Sequence, residues 1–181
     1  MKTDGETKAR KTGKSKKTNT PETELEVAKR RAMHLLGSRD YSRNELIGKL
    51  RENYSEETAL NVAELMCGYG YVNDERYAEK LARQYITVRG YGKSRALQMM
   101  RQKGLEKETA ETALEAFSED DITGEITGLL RKKYADRLFL SGIEGKKEMQ
   151  KIVAALARRG YGYNEIKRAL LVIQNEMEED Q

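Results

Sequence analysis

The sequence predicts an all-α protein of tandem three-helix repeats, about nine helices that pack in series into an elongated, curved rod. Three observations predict it. Alanine, leucine, glutamate, lysine and arginine dominate, and the single proline is Pro21, so no ring bars helix anywhere beyond it. Apolar residues recur at helical spacing between glycine stops, and one such pattern repeats along the chain. With 38% hydrophobic and 35% charged residues and a mean hydropathy of -0.83, the chain suits an extended helical body better than a deep-cored enzyme.

Taken in order, residues 1–24 are polar and lysine-rich without an apolar period, and predict a disordered basic tail. The first helix keeps Leu25, Ala28, Ala32, Leu35 and Leu36 on one face as far as Gly37. Ser42 and Glu45 have the spacing of a capping box, and Tyr41 and Leu46 that of a hydrophobic staple, before the stripe Leu46, Ile47, Leu50. Ser55 caps a third helix opened by Glu56 and Glu57 and stopped by Gly68 and Gly70. A fourth starts at Asn73 or Asp74, carries Tyr77, Leu81 and Tyr85 at i, i+4 spacing, and ends at Gly90 and Gly92. The fifth spans about 93–103 and the sixth about 106–117. The acidic stretch 118–121 is a linker or cap before a seventh helix with Ile126, Leu129, Leu130 and Tyr134. Glycines in 141–145 mark a break before an eighth helix, which presents Ile152, Val153 and Leu156. A ninth uses Ile166, Ala169, Leu170 and Ile173.

Met100-Arg101-Gln102-Lys103-Gly104-Leu105 and Leu156-Ala157-Arg158-Arg159-Gly160-Tyr161 share one pattern: apolar, polar, basic, glycine, apolar. The helices that follow match as well, and Leu50-Arg51-Glu52-Asn53-Tyr54 fits if one residue is deleted at the glycine. A period of roughly 50 residues suits three helices. The predicted organisation is a tail, 1–24, and three repeats, 25–73, 74–117 and 122–177. The competing reading is a single bundle whose helices are alike by accident.

Chemistry is conspicuous by its scarcity. Cys67 is the one cysteine and His34 the one histidine, so a disulfide, a His-paired nucleophile and a Cys/His metal cluster are all excluded within the chain. Cys67 reads as a small buried filler at a helix C-terminus, where the dipole raises a thiol pKa. Gly92-Lys93-Ser94 lacks the glycine a phosphate-binding loop needs five positions earlier, where Thr87 stands, and Gly13-Lys14-Ser15 has Lys8 there. Glu119, Asp120, Asp121 and Glu125 are better explained as acids opening a helix than as a magnesium site. No enzyme, metal or cofactor is expected. No apolar run reaches the roughly 20 residues of a bilayer span, and a reducing cytoplasm is the expected home.

The net charge is +4, yet residues 1–20 alone hold seven basic and two acidic residues, so the rest of the chain is close to neutral. Such a body argues against a dedicated DNA clamp. The tail is either an arm that touches nucleic acid or a solvated end. Candidate contact residues are the basic ones of the fifth and eighth helices and their approaches. They are Arg83, Arg89, Lys93, Arg95, Arg101 and Lys103, then Lys146, Lys147, Lys151, Arg158 and Arg159. They are ordinary solvated surface, or matching patches that meet acidic protein and phosphates. Tyr91, Tyr161 and Tyr163 beside them are core anchors or interface area.

The segments Tyr41-Ser42-Arg43-Asn44-Glu45-Leu46 with Lys49-Leu50, and Gly70-Tyr71-Val72-Asn73-Asp74-Glu75-Arg76-Tyr77-Ala78, resemble the RecX family of recombinase regulators. Arg89-Gly90-Tyr91-Gly92-Lys93-Ser94-Arg95 and Gln102-Lys103-Gly104-Leu105 extend the likeness, which covers roughly residues 25 to 175. The third repeat matches loosely, and the basic extension is not a family feature. The resemblance implies tandem three-helix repeats that bind along the groove of the RecA filament on single-stranded DNA. By that contact, it implies, they inhibit ATP hydrolysis, strand exchange and co-protease activity. Binding as a monomer, mainly to RecA with DNA touched through it, is the expectation. The alternative is a helical nucleic-acid-binding module that acts without RecA; a scaffold for another protein partner is a third.

Overall fold

A computed structural model describes residues 23–138 and 142–179. The basic tail predicted for 1–24 therefore lies outside the described residues as far as residue 22, while Thr23 and Glu24 belong to the first helix. Among the described residues there are nine α-helices and no strand. They are α1 (Glu24–Ser38), α2 (Arg43–Arg51), α3 (Glu56–Gly68), α4 (Asp74–Arg83), α5 (Lys93–Gln102), α6 (Lys107–Glu115), α7 (Glu119–Leu138), α8 (Gly142–Arg158) and α9 (Tyr163–Glu179). A π-helical turn, Gln84–Val88, extends α4. None of these helices is long and apolar enough to cross a membrane.

Local chemistry sets most boundaries. Thr23 and Glu26 form a full capping box at α1, an S/T-x-x-E signal that the sequence reading passed over. At α2 the expected box is only half made. Ser42 Oγ accepts from the Glu45 amide at 3.1 Å, but the Glu45 carboxylate pairs with the Arg39 guanidinium at 2.9 and 3.0 Å. Two charge-assisted bonds outweigh one bond to a neutral amide. Ser55 caps α3 and Asn73 caps α4 as their spacing predicts. Ser118 and Asp121 cap α7 reciprocally. Residue 141 of the glycine-bearing stretch 141–145 lies outside the described residues, and α8 already begins at Gly142, so Gly145 lies inside the helix. A glycine in a helix interior costs about 1 kcal/mol, and burying Ile152 and Leu156 exceeds that.

The helices pack in threes: α1 and α2 on α3, α4 and α5 on α6, and α7 with α8 and α9. Unit 1 has its own core, built on Leu46, Leu50, Val62 and Met66. Units 2 and 3 share a second core that runs continuously from Leu81 and Ile86 through Met100 to Ile126, Leu130, Ile152 and Ile166. The middle unit thus stands between the other two, and the units lie in series.

Glu24 ties the start of α1 to the start of α3. Its carboxylate accepts from the Ser55 amide at 2.7 Å, Ser55 Oγ at 3.0 Å and Thr58 Oγ1 at 3.1 Å. The Ser55 amide bond is the main reason its carboxyl is held below the usual value of 4.5. A lowered carboxyl stabilises the fold above its unfolded pKa, and that contribution is lost as pH falls through the folded value. The thermal midpoint of Glu24→Ala should therefore lie below that of the parent at neutral pH, with the gap closing below about pH 4.5. A gap that is constant with pH contradicts this.

Candidate functional site

The glycine turns of the repeat are where units meet. In each joint, the turn before the third helix of one unit presses on the N-cap of the second helix of the unit before it. Between units 1 and 2, Ser42 Oγ donates to the Lys103 carbonyl at 2.6 Å, and Asn44 Nδ2 donates to the Gly104 carbonyl at 3.0 Å and to Glu106 Oε1 at 2.9 Å. The Arg43 amide donates to Asp74 Oδ1 at 2.8 Å. Burial pushes the Asp74 carboxyl up, and that amide bond partly offsets it. Lys80 Nζ reaches Asp40 at 2.5 Å across the same joint.

Between units 2 and 3, the contact is backbone on backbone. The Gly92 amide donates to the Arg159 carbonyl at 2.8 Å. A Cβ on Gly92 would lie 2.2 Å from the Gly160 carbonyl oxygen, and one on Gly160 would lie 2.6 Å from both the amide nitrogen and Cβ of Arg95. Gly160 also has φ 88, a conformation that favours glycine. Two arginines then clip the joint from both sides. Arg95 Nη1 donates to the Arg158 carbonyl at 2.8 Å, and Arg159 Nη1 donates to the carbonyls of Arg89 and Gly90 at 3.0 Å each. Arg95 also lies over the Tyr91 ring at 4.4 Å.

The basic residues singled out in the sequence therefore do different things. Arg95 and Arg159 hold the joint. Lys93 Nζ donates to the Phe117 carbonyl at 2.5 Å, and Lys103 lies 3.9 Å from Glu45. Lys151 pairs with Glu148 at 2.5 Å. Arg89 is exposed, 5.9 Å from the Tyr85 ring. Arg101, Lys146, Lys147 and Arg158 are exposed. Arg83 is exposed too, but it lines a cleft of about 1120 Å³ whose other charged residues are acidic. Glu75 and Glu79 of α4, Glu106 and Glu108 at α6, and Asp120, Asp121 and Glu125 of α7 surround it. That cleft gathers three helices and was not foreseen.

Of the tyrosines, Tyr161 is buried in the shared core, Tyr91 is half-buried and stacked on Tyr85, and Tyr163 is 71% exposed. Cys67 is half-buried rather than a buried filler; burial first, then Glu64, pushes its thiol pKa up. His34 is exposed on α1. Among the described residues no group of three His, Cys, Asp or Glu is arranged to hold a metal.

Comparison with known proteins agrees with this geometry unit by unit. Models of the first, second and third three-helix domains of RecX match residues 28–64, 73–114 and 126–170. Regulatory protein RecX of Vibrio cholerae serotype O1 (strain M66-2) is 32% identical over 149 residues, covering 81% of this chain and 93% of the relative. Regulatory protein RecX of Clostridioides difficile (strain 630) is 29% identical over 148 residues, 82% of this chain and 68% of the relative. The crystal structure of RecX from Lactobacillus salivarius shares the fold, with a TM-score of 0.76 at 20% identity over 83% of this chain and 97% of that one. With three domains matched in order and a relative this similar along most of both chains, the chain belongs to the RecX family of regulatory proteins.

Proposed function

We propose that the chain regulates the RecA recombinase, mainly as an inhibitor, by lying in the groove of the RecA filament on single-stranded DNA. There it restrains ATP hydrolysis, strand exchange and co-protease activity in the cytoplasm, acting as a monomer, without catalysis of its own. The observation that carries this reading is the match of all three RecX domains to three units joined in series. A rod with a fixed joint touches several protomers of a filament at once, and each contact raises the effective concentration of the next. Bound this way, it favours one filament geometry over those that ATP turnover requires.

The exposed cations Arg89, Arg101, Lys146, Lys147 and Arg158 are the surface residues proposed to meet the filament. Charge removal at Lys146 and Lys147 should weaken binding to RecA filaments and leave the unfolding free energy within about 0.5 kcal/mol of the parent, as surface changes do. Arg159→Ala should lower that free energy as well, because it leaves the Arg89 and Gly90 carbonyls without their donor. If both variants lose binding and stability together, the division between contact and joint residues is wrong.

The test of the proposal is RecA ATPase activity on single-stranded DNA with the chain titrated in. Inhibition at well below one chain per protomer supports the filament reading. Turnover unchanged at saturation, with RecA from the same source, rejects it.

A further inference from the structure

The two joints are made differently. Across the second, the buried side chains of α4, its π-helical turn and α5 continue into those of α7, α8 and α9 as one core. The π-helical turn packs on α7, where a Cβ on Gly90 would lie 3.0 Å from Leu129 Cδ1. A backbone amide also donates to a backbone carbonyl there, Gly92 to Arg159. The first joint shares no core, because the buried side chains of unit 1 form one of their own. Among the described residues, every hydrogen bond between units 1 and 2 has a side chain at one end or both. On unit 1 these bonds all come from the turn between Asp40 and Glu45, and the Lys80–Asp40 pair is 69% and 47% exposed. An exposed ion pair contributes little, and a single hydrogen bond only a modest factor. Parting the first joint breaks such bonds and leaves both cores whole, whereas parting the second opens a core to water.

The covalent link at the first joint is short. Val72 is 4% exposed in the core of unit 1, and its amide donates to the Met66 carbonyl of α3. The next residue already belongs to unit 2, since the Asn73 side chain caps α4 by accepting from the Arg76 amide at 2.7 Å. Asn73 has φ -145 and ψ 104, in the broad extended region where the backbone turns freely. Hinges are often a few such residues at the end of an element. We propose that the Val72–Asn73 link is a hinge and that the bonds of the 40–45 turn are its latch, so that unit 1 swings as one rigid body against a second made of units 2 and 3. With the latch open, Ser42, Asn44 and the Lys103 and Gly104 carbonyls face water, and neither core changes. A chain so built follows a partner surface of changing spacing by turning at one point, and lets go of it in two steps rather than one. This inference rests on the two cores and the bonds between them, and stands whether or not RecA is the partner.

The test measures distances between paired nitroxides on the full chain by double electron–electron resonance, in a Cys67→Ser background. His34→Cys/Thr112→Cys spans the first joint and Thr112→Cys/Lys167→Cys the second, all at exposed positions. The expected result is one narrow distance across the second joint and, across the first, a second population beside the closed one. Asn44→Ala/Lys80→Ala removes the bonds to Gly104, Glu106 and Asp40 and touches neither a helix cap nor a core. It should raise the open population relative to the closed one at least about fivefold, the factor that loss of one ordinary hydrogen bond gives. In the parent, about 0.5 M NaCl should raise it without any substitution, by screening the Lys80–Asp40 and Lys103–Glu45 pairs. A single narrow distance across the first joint in parent, variant and salt alike overturns the proposal. So does a distribution in the parent as broad across the second joint as across the first, because the chain then bends everywhere rather than at one hinge.

Discussion

Gly160→Ala is expected to destabilise the chain by about 2–4 kcal/mol, combining the cost of a left-handed backbone on alanine with overpacking against Arg95. The Cβ has nowhere to go, since the atoms it meets are backbone nitrogen and Cβ of Arg95 rather than the end of a flexible side chain. Gly92→Ala should behave alike from the other side, where the Gly160 carbonyl lies 2.2 Å from the new carbon. Gly48→Ala serves as the control. It lies in α2 with nothing within 4 Å of its Cβ position, so it should gain about 0.5–1 kcal/mol. Urea denaturation of the three variants decides the matter, and a Gly160→Ala chain as stable as the parent would show that the joint yields. If the joint sets how units meet the filament, the same variant also loses RecA inhibition at concentrations where it is still folded.

Leu50→Ala and Ile126→Ala remove side chains that are 0% exposed, and each is expected to cost about 2–5 kcal/mol. Their effects should spread differently. Leu50 belongs to the core of unit 1, while Ile126 belongs to the core shared by units 2 and 3. Amide hydrogen exchange should therefore accelerate only in α1–α3 for Leu50→Ala, and throughout α4–α9 for Ile126→Ala. Equal acceleration along the whole chain in both would mean one cooperative body, in conflict with two separate cores.

The helices were legible because each is signposted within a few residues. Ser42, Ser55 and Asn73 stand where caps are needed, and the stripes Leu46-Ile47-Leu50 and Tyr77-Leu81-Tyr85 are buried as their spacing requires. Where a local signal misled, a tertiary partner had intervened: Arg39 took the Glu45 carboxylate. The functional surface was less legible. Arg95 and Arg159 look like any solvent-facing cations, and only the fold brings each to a carbonyl more than 60 residues away. The repeated glycine was visible in Gly104 and Gly160, but a repeat in sequence does not say that the glycine marks close approach of two backbones. The acidic cleft needed three helices assembled before its carboxylates became neighbours.

The most direct test of the central claim is co-sedimentation of the full chain with RecA filaments assembled on single-stranded DNA, beside DNA alone at the same salt. The account predicts that the chain pellets with the filaments, saturates below one chain per RecA protomer, and stays in solution with DNA alone. Pelleting with DNA alone as readily as with filaments would contradict it and leave a helical module that binds nucleic acid without RecA.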